Sequence, residues 1–208
     1  MRVERGVAPA AAALLAALLG AAPAPGDAPP GLEAIRALTL ELLRRGEYDD
    51  AIEGYRLIVE HRPGDARAHY DLAAALAFVR RFEEAATPAE AARRLSPEDP
   101  RVHELAALVH LNRGDPASAF AATLAGARLG DATAMYSLVG MYGEGRGVAV
   151  DRDAAYRWAE RAAAAGHLGA MAWLARSNRE GLNGRTVDLV EARRWAERLR
   201  EAERRLDR

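Results

Sequence analysis

The residues most able to do chemistry in this sequence are its histidines. Imidazole is a common metal ligand and a general base near neutral pH. His69 and His103 are 34 residues apart, and His103 and His110 are separated by about two turns of a predicted helix rather than the single turn of a usual metal pair. No HExxH motif occurs. We therefore predict structural or surface roles, with no catalytic residue, metal site or cofactor, for His61, His69, His103, His110 and His167.

Other nucleophiles and phosphate-binding motifs likewise give no indication of catalysis. Cysteine is absent, which excludes disulfides, a cysteine nucleophile, a cysteine-based zinc site and a lipid-modified N-terminal cysteine. None of the four serines lies in a GxSxG motif. The loop Gly143–Val148, GEGRGV, has the glycines of a phosphate loop but not its Lys and Ser/Thr. The sequence thus predicts a protein that is not an enzyme.

Composition narrows the class of partner. The formal net charge of the 208 residues is -1, which argues against a nucleic-acid binder that relies on global charge. All 29 basic residues are arginine. Half of the residues are hydrophobic, and alanine, the best helix former, dominates them. The composition therefore predicts no nucleic-acid partner.

The N-terminus has the pattern of an export signal. Arg2 and Arg5 precede an apolar run from Val7 to Ala22, which is the length of a signal-peptide core and short for a membrane span. Small residues place cleavage before Asp27. We expect a signal peptide at 1–26, a linker at 27–31, and a periplasmic or secreted protein. An uncleaved segment that anchors the chain to the inner membrane is the alternative.

The rest of the chain is repetitive, and the repeat predicts the helices on which the candidate residues named above lie. A period of 34 relates several turn and helix positions, and a period of this size is typical of stacked helical hairpins. From residue 132 the spacing changes to 36 and 37, as between Trp158 and Trp195. The 34-residue sets are Tyr48, Phe82 and Pro116; Ala51, Ala85 and Ala119; and Pro63 and Pro97.

Two known repeat families match these patterns. Residues 32–131 resemble three tetratricopeptide repeats, of which the first, with Gly46, Tyr48 and Pro63, is nearest to the family pattern. Residues 132–208 resemble two Sel1-like repeats with a C-terminal capping helix, through their A-x-A-x-Y-x-L, GxGxGV and A-x-x-W-x-x-x-A motifs. The resemblance implies an all-α fold: a right-handed α-solenoid of about five stacked helix–turn–helix repeats.

The resemblance also implies where a partner binds. In tetratricopeptide repeats the first helix of each hairpin lines a concave groove that holds peptides or helices. Basic positions that recur with the repeat would suit a segment with an acidic group. Trp173 has no counterpart in the preceding repeat and is a further candidate anchor. The groove residues implied are Arg36, Leu40, Arg44, Arg67, Tyr70, Ala74, Phe78, Arg101, Leu108 and Asn112.

The function expected from this resemblance is an exported, non-enzymatic scaffold or adaptor of the bacterial cell envelope, which binds a peptide or helical segment in an arginine-lined groove. One alternative is a glycan- or peptidoglycan-associated assembly factor that uses the aromatic second half. A remote alternative is a β-lactamase-like Sel1 repeat hydrolase, but those proteins have cysteine-paired repeats and this chain has no cysteine. The oligomeric state and the partner's identity are not specified by the sequence.

Overall fold

A computed structural model describes residues 31–206, so the predicted signal peptide at 1–26 and most of the predicted linker at 27–31 lie outside the described residues. Within 31–206 the chain forms ten α-helices and no strand. No helix in this range has the length and hydropathy needed to cross a membrane. The helices are α1 Leu32–Arg45, α2 Tyr48–His61, α3 Ala66–Phe78, α4 Phe82–Leu95, α5 Pro100–Asn112, α6 Pro116–Arg128, α7 Ala132–Glu144, α8 Arg152–Ala164, α9 Leu168–Glu180 and α10 Leu189–Leu206.

The chain divides into two compact units, with the boundary between Ser96 and Pro97. In the first unit α1 packs on α2, α2 on α3, and α3 on α4. In the second unit the hairpins are α5 with α6, α7 with α8, and α9 with α10, and α6 packs on α7 and α8 on α9. The predicted all-α repeat fold is confirmed. The boundary between the units precedes the third 34-residue copy, whereas the change of repeat period falls near residue 131.

One turn closes the first helix of each 34-residue copy. Glu47 N–H donates to the Leu42 carbonyl at 2.9 Å, and the same bond recurs in the next copies from Arg81 to Leu76 and from Asp115 to His110. Gly46 and Gly114 hold the left-handed position that this turn needs. In the second copy Arg80 takes that position with φ of 64°, which is strained for a residue with a β-carbon. The turn is therefore set by the packing of the hairpin as well as by glycine.

Aspartate residues cap several of the helices. The Asp65 carboxylate accepts from the Arg67 and Ala68 N–H groups at the start of α3. Asp99, Asp131 and Asp151 cap α5, α7 and α8 in the same way. Each carboxylate satisfies backbone donors that a helix start leaves open. Helix capping therefore explains these aspartates without catalysis.

Two glycines mark places where segments come into close contact. Gly147, in the loop between α7 and α8, has φ of 75°, and a β-carbon there would overlap the carbonyl oxygen of Pro116. In the first unit a β-carbon on Gly54 of α2 would overlap the hydroxyl of the fully buried Thr39 of α1. These contacts need a residue without a side chain, because close-packed interiors leave no room for one.

Pro88 lies inside α4, where a proline removes a backbone hydrogen bond and commonly kinks or interrupts a helix. The helix runs from Phe82 to Leu95 without a break. The proline ring is buried, as are Ala85, Ala89 and Ala92 of the same helix. The hairpin therefore keeps its second helix despite the hydrogen bond that proline cannot donate.

Candidate partner-binding surfaces

The first unit has a concavity that contains two of the predicted groove residues, Ala74 and Phe78 of α3. Its volume is about 370 Å³, at the small end of the range for ligand pockets. Phe78 is 67% exposed and its ring contacts the ring of Tyr48, with centroids 4.9 Å apart. The concavity is mainly apolar, with one carboxylate in its wall. The remaining wall is formed by Leu43, Tyr55, Asp71 and Ala75.

The predicted arginines of this unit are ion-paired within the chain. Arg36 donates to the Asp65 carboxylate at 3.2 Å, and both side chains are partly buried. Arg67 donates through Nε to both carboxylate oxygens of Asp71, at 2.8 and 2.9 Å. Arg44 is more exposed, at 76% of its side chain, and contacts Glu41 at 3.5 Å. The groove therefore carries less free positive charge than the sequence implies.

The charges of Arg36, Arg67 and Asp71 act on the buried phenol of Tyr55. Burial raises the pKa of Tyr55, and the Asp71 carboxylate raises it further, while Arg67 and Arg36 oppose that effect. The four groups therefore lie close enough to interact electrostatically on one side of the first unit. Tyr70 of the predicted set is half-buried on α3, and Leu40 is 43% exposed on α1.

The other predicted groove residues lie in the second unit, on α5. Arg101 donates to Asp99, the cap of its own helix, with a shortest distance of 2.6 Å. Leu108 is 48% exposed. The Asn112 side chain donates to the Leu108 carbonyl at 2.9 Å, one turn earlier. Arg101 and Asn112 therefore both bind within their own helix.

Trp173 lies in a cleft between α7 and α9 with a volume of about 430 Å³. It is half-buried, and its ring centroid lies 6.0 Å from that of Tyr156. The cleft combines aromatic and polar side chains. Its other lining residues are Tyr136, Ser137, Val139, Gly140, Gly143, Glu144, Arg146 and Asn183.

A glycine in this cleft makes room for a charged group. A β-carbon on Gly140 would lie 2.9 Å from an Nη atom of Arg146, so the guanidinium lies against the backbone of α7. Arg146 also contacts Glu144 at 2.9 Å. In the same cleft, Asn183 has φ of 58° and donates to the Ser177 hydroxyl at 2.7 Å. Asn183 thus replaces a loop glycine and keeps the left-handed turn, because asparagine tolerates that conformation.

Several of the histidines form hydrogen bonds with the backbone. His69 and His103 each place Nε2 on the carbonyl oxygen of a proline six residues earlier, Pro63 at 2.9 Å and Pro97 at 2.7 Å. A carbonyl accepts, so Nε2 carries the proton in both rings. His167 caps α9 by accepting from the Ala170 N–H. Between residues 31 and 206 no group of three or more acidic or histidine side chains is arranged to hold a metal ion.

Several residues of these surfaces have little or no signal in the sequence. Tyr48 fits the repeat pattern, but its contact with Phe78 could not be anticipated from that pattern. Asp71 follows Arg67 by four residues, and that spacing is a readable sign of an ion pair on a helix. Tyr136 and Arg146 meet Trp173 only because α7, its loop and α9 pack together.

Comparisons with known proteins agree with this architecture. The family model described as tetratricopeptide repeat matches residues 42–109. The Sel1 repeat model matches residues 130–167 and 169–202. Together these matches cover more than half of the chain, which therefore belongs to the tetratricopeptide and Sel1-like repeat proteins. A search of curated proteins found no match.

Solved structures with the same fold come from several sources. A Sel1 repeat protein from Oxalobacter formigenes is 23% identical, with a TM-score of 0.55, over 72% of this chain and 61% of that one. MamA from Desulfovibrio magneticus RS-1 is 19% identical, with a TM-score of 0.60, over 85% and 97%. The protective antigen c5321 of uropathogenic Escherichia coli is 20% identical, with a TM-score of 0.59, over 84% and 42%. The present chain thus spans less than two thirds of the first and third of these proteins, and the likeness concerns the fold.

Repeats of these two families are generally non-catalytic modules that bind other proteins. As a member of these repeat families, the chain is a protein–protein interaction scaffold.

Proposed function

We propose that the chain is an exported, non-enzymatic scaffold that binds an extended or helical segment of a partner protein against its first unit. The observation that carries this proposal is Phe78, which ends α3 with 67% of its surface exposed beside an apolar concavity. A large exposed aromatic residue next to a concavity is typical of an interface anchor. Burial of the ring in a complex would contribute on the order of 1–2 kcal/mol.

The apolar character continues along the repeat. Leu40 and Ala74 occupy equivalent positions in the first two copies, 34 residues apart, and Leu40 is 43% exposed. A segment that places apolar side chains toward α1 and α3 would bury this surface. An extended chain or an amphipathic helix has the required spacing.

An acidic group on the partner segment is part of the proposal. Arg67 is 63% exposed, and its bonds to Asp71 use only Nε, so its two Nη groups have no partner among the described residues. Arg44 is also well exposed. Guanidinium groups with free donors favour carboxylates. The partner's acidic side chain would bind here without breaking the existing ion pairs.

Export is the second part of the proposal, and residues 1–26 support it by their basic start, apolar run and small-residue cleavage pattern. Expression of the full chain in a bacterial host, followed by fractionation and intact-mass measurement, tests it. We expect a periplasmic or secreted product that begins at Asp27. A full-length product in the membrane fraction would favour the uncleaved anchor, and a full-length cytoplasmic product would refute export.

Site-specific photo-crosslinking tests the binding surface. A photoreactive phenylalanine analogue at position 78 of the full chain should crosslink a discrete partner, and excess wild-type protein should compete while Phe78→Ala protein should not. Leu95 is the matched control position, because it is 43% exposed in the same unit but ends α4. The same crosslinked products from positions 78 and 95, or equal competition by Phe78→Ala, would contradict the proposal.

A glycan ligand is a second candidate function, and the cleft around Trp173 favours it. Tyr136 and Trp173 offer aromatic rings, while Ser137, Glu144 and Asn183 offer hydrogen-bonding groups within the same space of about 430 Å³. Sugars bind such sites through ring stacking and hydroxyl contacts. Sedimentation with purified peptidoglycan tests this candidate. Retention by wild type and loss by Trp173→Ala would support it, and equal behaviour of both would refute it.

A further inference from the structure

The end of the second unit has a groove between α9 and α10 that the proposed function does not use. Its volume is about 410 Å³. Arg193 and Arg200 of α10 lie along it, and both are exposed. Its other lining residues are Ala175, Arg179, Leu189, Ala192, Ala196 and Glu197.

The preceding repeat shows what occupies the equivalent place. With the 36- and 37-residue spacing of the two Sel1-like copies, five of the groove residues correspond to positions of α7 and α8 that are buried in one core cluster. Ala170, Met171 and Leu174 of α9 belong to the same cluster. The following helix therefore covers that surface. The corresponding pairs are Ala175 with Val139, Ala192 with Ala155, Arg193 with Tyr156, Ala196 with Ala159, and Arg200 with Ala163.

The groove keeps the features that let a helix approach. Small side chains stand at three of these five positions, and small residues allow close helix packing. At the other two positions, arginine replaces Tyr156 and Ala163. The apolar floor, in which Ala192 is buried and Ala175 and Ala196 are half-buried, and the two exposed arginines together resemble a helix-binding surface with a basic edge.

The two arginines are not neutralised within the part of the chain that the structure describes. Neither the Arg193 nor the Arg200 side chain makes a hydrogen bond or ion pair there, and Glu197 between them pairs with neither. The neighbouring Arg194, by contrast, contacts Glu191 at 3.1 Å. Two guanidinium groups are thus available beside an open apolar groove.

We infer that this groove, which we call the terminal groove, binds a helix of a second protein that carries acidic side chains opposite Arg193 and Arg200. Carboxylates would neutralise both guanidinium groups, and a small or apolar stripe would cover the alanines. A second copy of the chain, docked by this face on a two-fold axis, would bring the same arginines together and incur like-charge repulsion. The inference concerns a separate surface and does not rest on the proposed function.

The repeat also gives the register of the acidic side chain. In the preceding copy the Asn178 side chain of α9 donates to the Tyr156 hydroxyl at 2.7 Å. Arg193 is the equivalent of Tyr156, so a helix that docks as α9 does would place its Asn178-equivalent residue at Arg193. An acidic residue at that position would form the ion pair.

A peptide probe with the α9 sequence tests this geometry. The probe is residues 168–180 with Asn178→Glu, stapled across positions 172 and 176, which are exposed in the chain, and labelled with a fluorophore. Fluorescence anisotropy would measure its binding to the full chain. We expect Arg193→Glu to weaken binding by about tenfold or more, since a charge-assisted pair is replaced by repulsion. A second probe with Asn178→Lys should prefer the Arg193→Glu chain over wild type.

Arg194→Glu is the matched control, because it makes the same charge change one residue away on another side of α10; it should change affinity less than about twofold. Circular dichroism would verify that all variants fold. Three results would overturn the inference: no binding of either probe, equal affinity of wild type for the glutamate and lysine probes, or a dimer of the chain in sedimentation that Arg193→Glu abolishes.

Discussion

The rings of Tyr48 and Phe78 lie 4.9 Å apart, centroid to centroid, with 49° between their planes. Tyr48 begins α2 and Phe78 ends α3, so the contact joins the two hairpins of the first unit beside its concavity. Phe78 is 67% exposed, so little of the folding energy depends on its ring. An exposed ring that contributes little to folding is available for binding.

The first prediction compares the contribution of Phe78 to the free energy of unfolding with that of a core residue. Phe78→Ala should lower the free energy of unfolding by less than about 1 kcal/mol, because most of its ring is in water in the folded state. Ile52→Ala should cost about 2–5 kcal/mol, since Ile52 is fully buried. Urea denaturation followed by circular dichroism measures both. A cost for Phe78→Ala close to that of Ile52→Ala would show that the ring is a core element.

The second prediction concerns Gly147 and its contact with Pro116. Gly147→Ala combines a left-handed backbone with overlap of the Pro116 carbonyl, so we expect a loss of more than about 2 kcal/mol of stability. Gly114 is the matched control, because it has the same φ of 75° and an added β-carbon there would meet no atom within 4 Å. Gly114→Ala should cost only about 1 kcal/mol. Thermal unfolding of the two variants, each against wild type, gives the comparison; equal costs would contradict the close contact.

Arg80 provides a third prediction. It holds φ of 64° at the position that Gly46 and Gly114 occupy in the neighbouring copies. Arg80→Gly should raise stability by about 0.5–1 kcal/mol, because relief of the left-handed strain exceeds the added freedom of glycine in the unfolded chain. Arg80→Ala keeps the β-carbon and should give no such gain. Chemical denaturation of both variants tests this, and destabilisation by glycine would show that contacts of the arginine side chain outweigh the strain.

The fourth prediction is a pH dependence at the start of α5. Hydrogen bonds from the Arg101 side chain and backbone N–H hold the pKa of Asp99 below its ordinary value of 3.8. A lowered folded-state pKa stabilises the fold above the unfolded pKa, and this contribution is lost as the pH falls through 3.8 toward the folded value. Asp99→Asn keeps a capping side chain but does not titrate. Wild type should therefore lose more stability than Asp99→Asn between about pH 5 and pH 3 in urea titrations. Parallel pH profiles of the two proteins would refute the assignment.

The helices, their turns and the two repeat types could be predicted from the sequence, because periodic alanines, prolines and glycines are local signals. The ion pairing of the groove arginines could not be predicted from such local signals. Arg36 pairs with Asp65 across 29 residues, and that pair depends on how α1 lies relative to the start of α3. Long-range pairs of this kind follow from packing, which no local pattern specifies.

The cleft around Trp173 was only partly predictable for a related reason. Trp173 itself is identifiable as a candidate, since it breaks the repeat pattern. Its neighbours Tyr136 and Arg146 come from α7 and the following loop, and the room for the guanidinium depends on Gly140. A contact set by three packed segments has no periodic signature in the chain.

The most direct test of partner binding at Phe78 is isothermal titration calorimetry of the full chain with the partner segment identified by crosslinking at position 78. We predict that Phe78→Ala weakens affinity by about tenfold or more, as for a residue at the centre of an interface. Leu95→Ala removes a comparably placed apolar side chain of the same unit, 43% exposed, and should leave the affinity within about twofold. Equal affinities of wild type and Phe78→Ala would contradict binding at this surface.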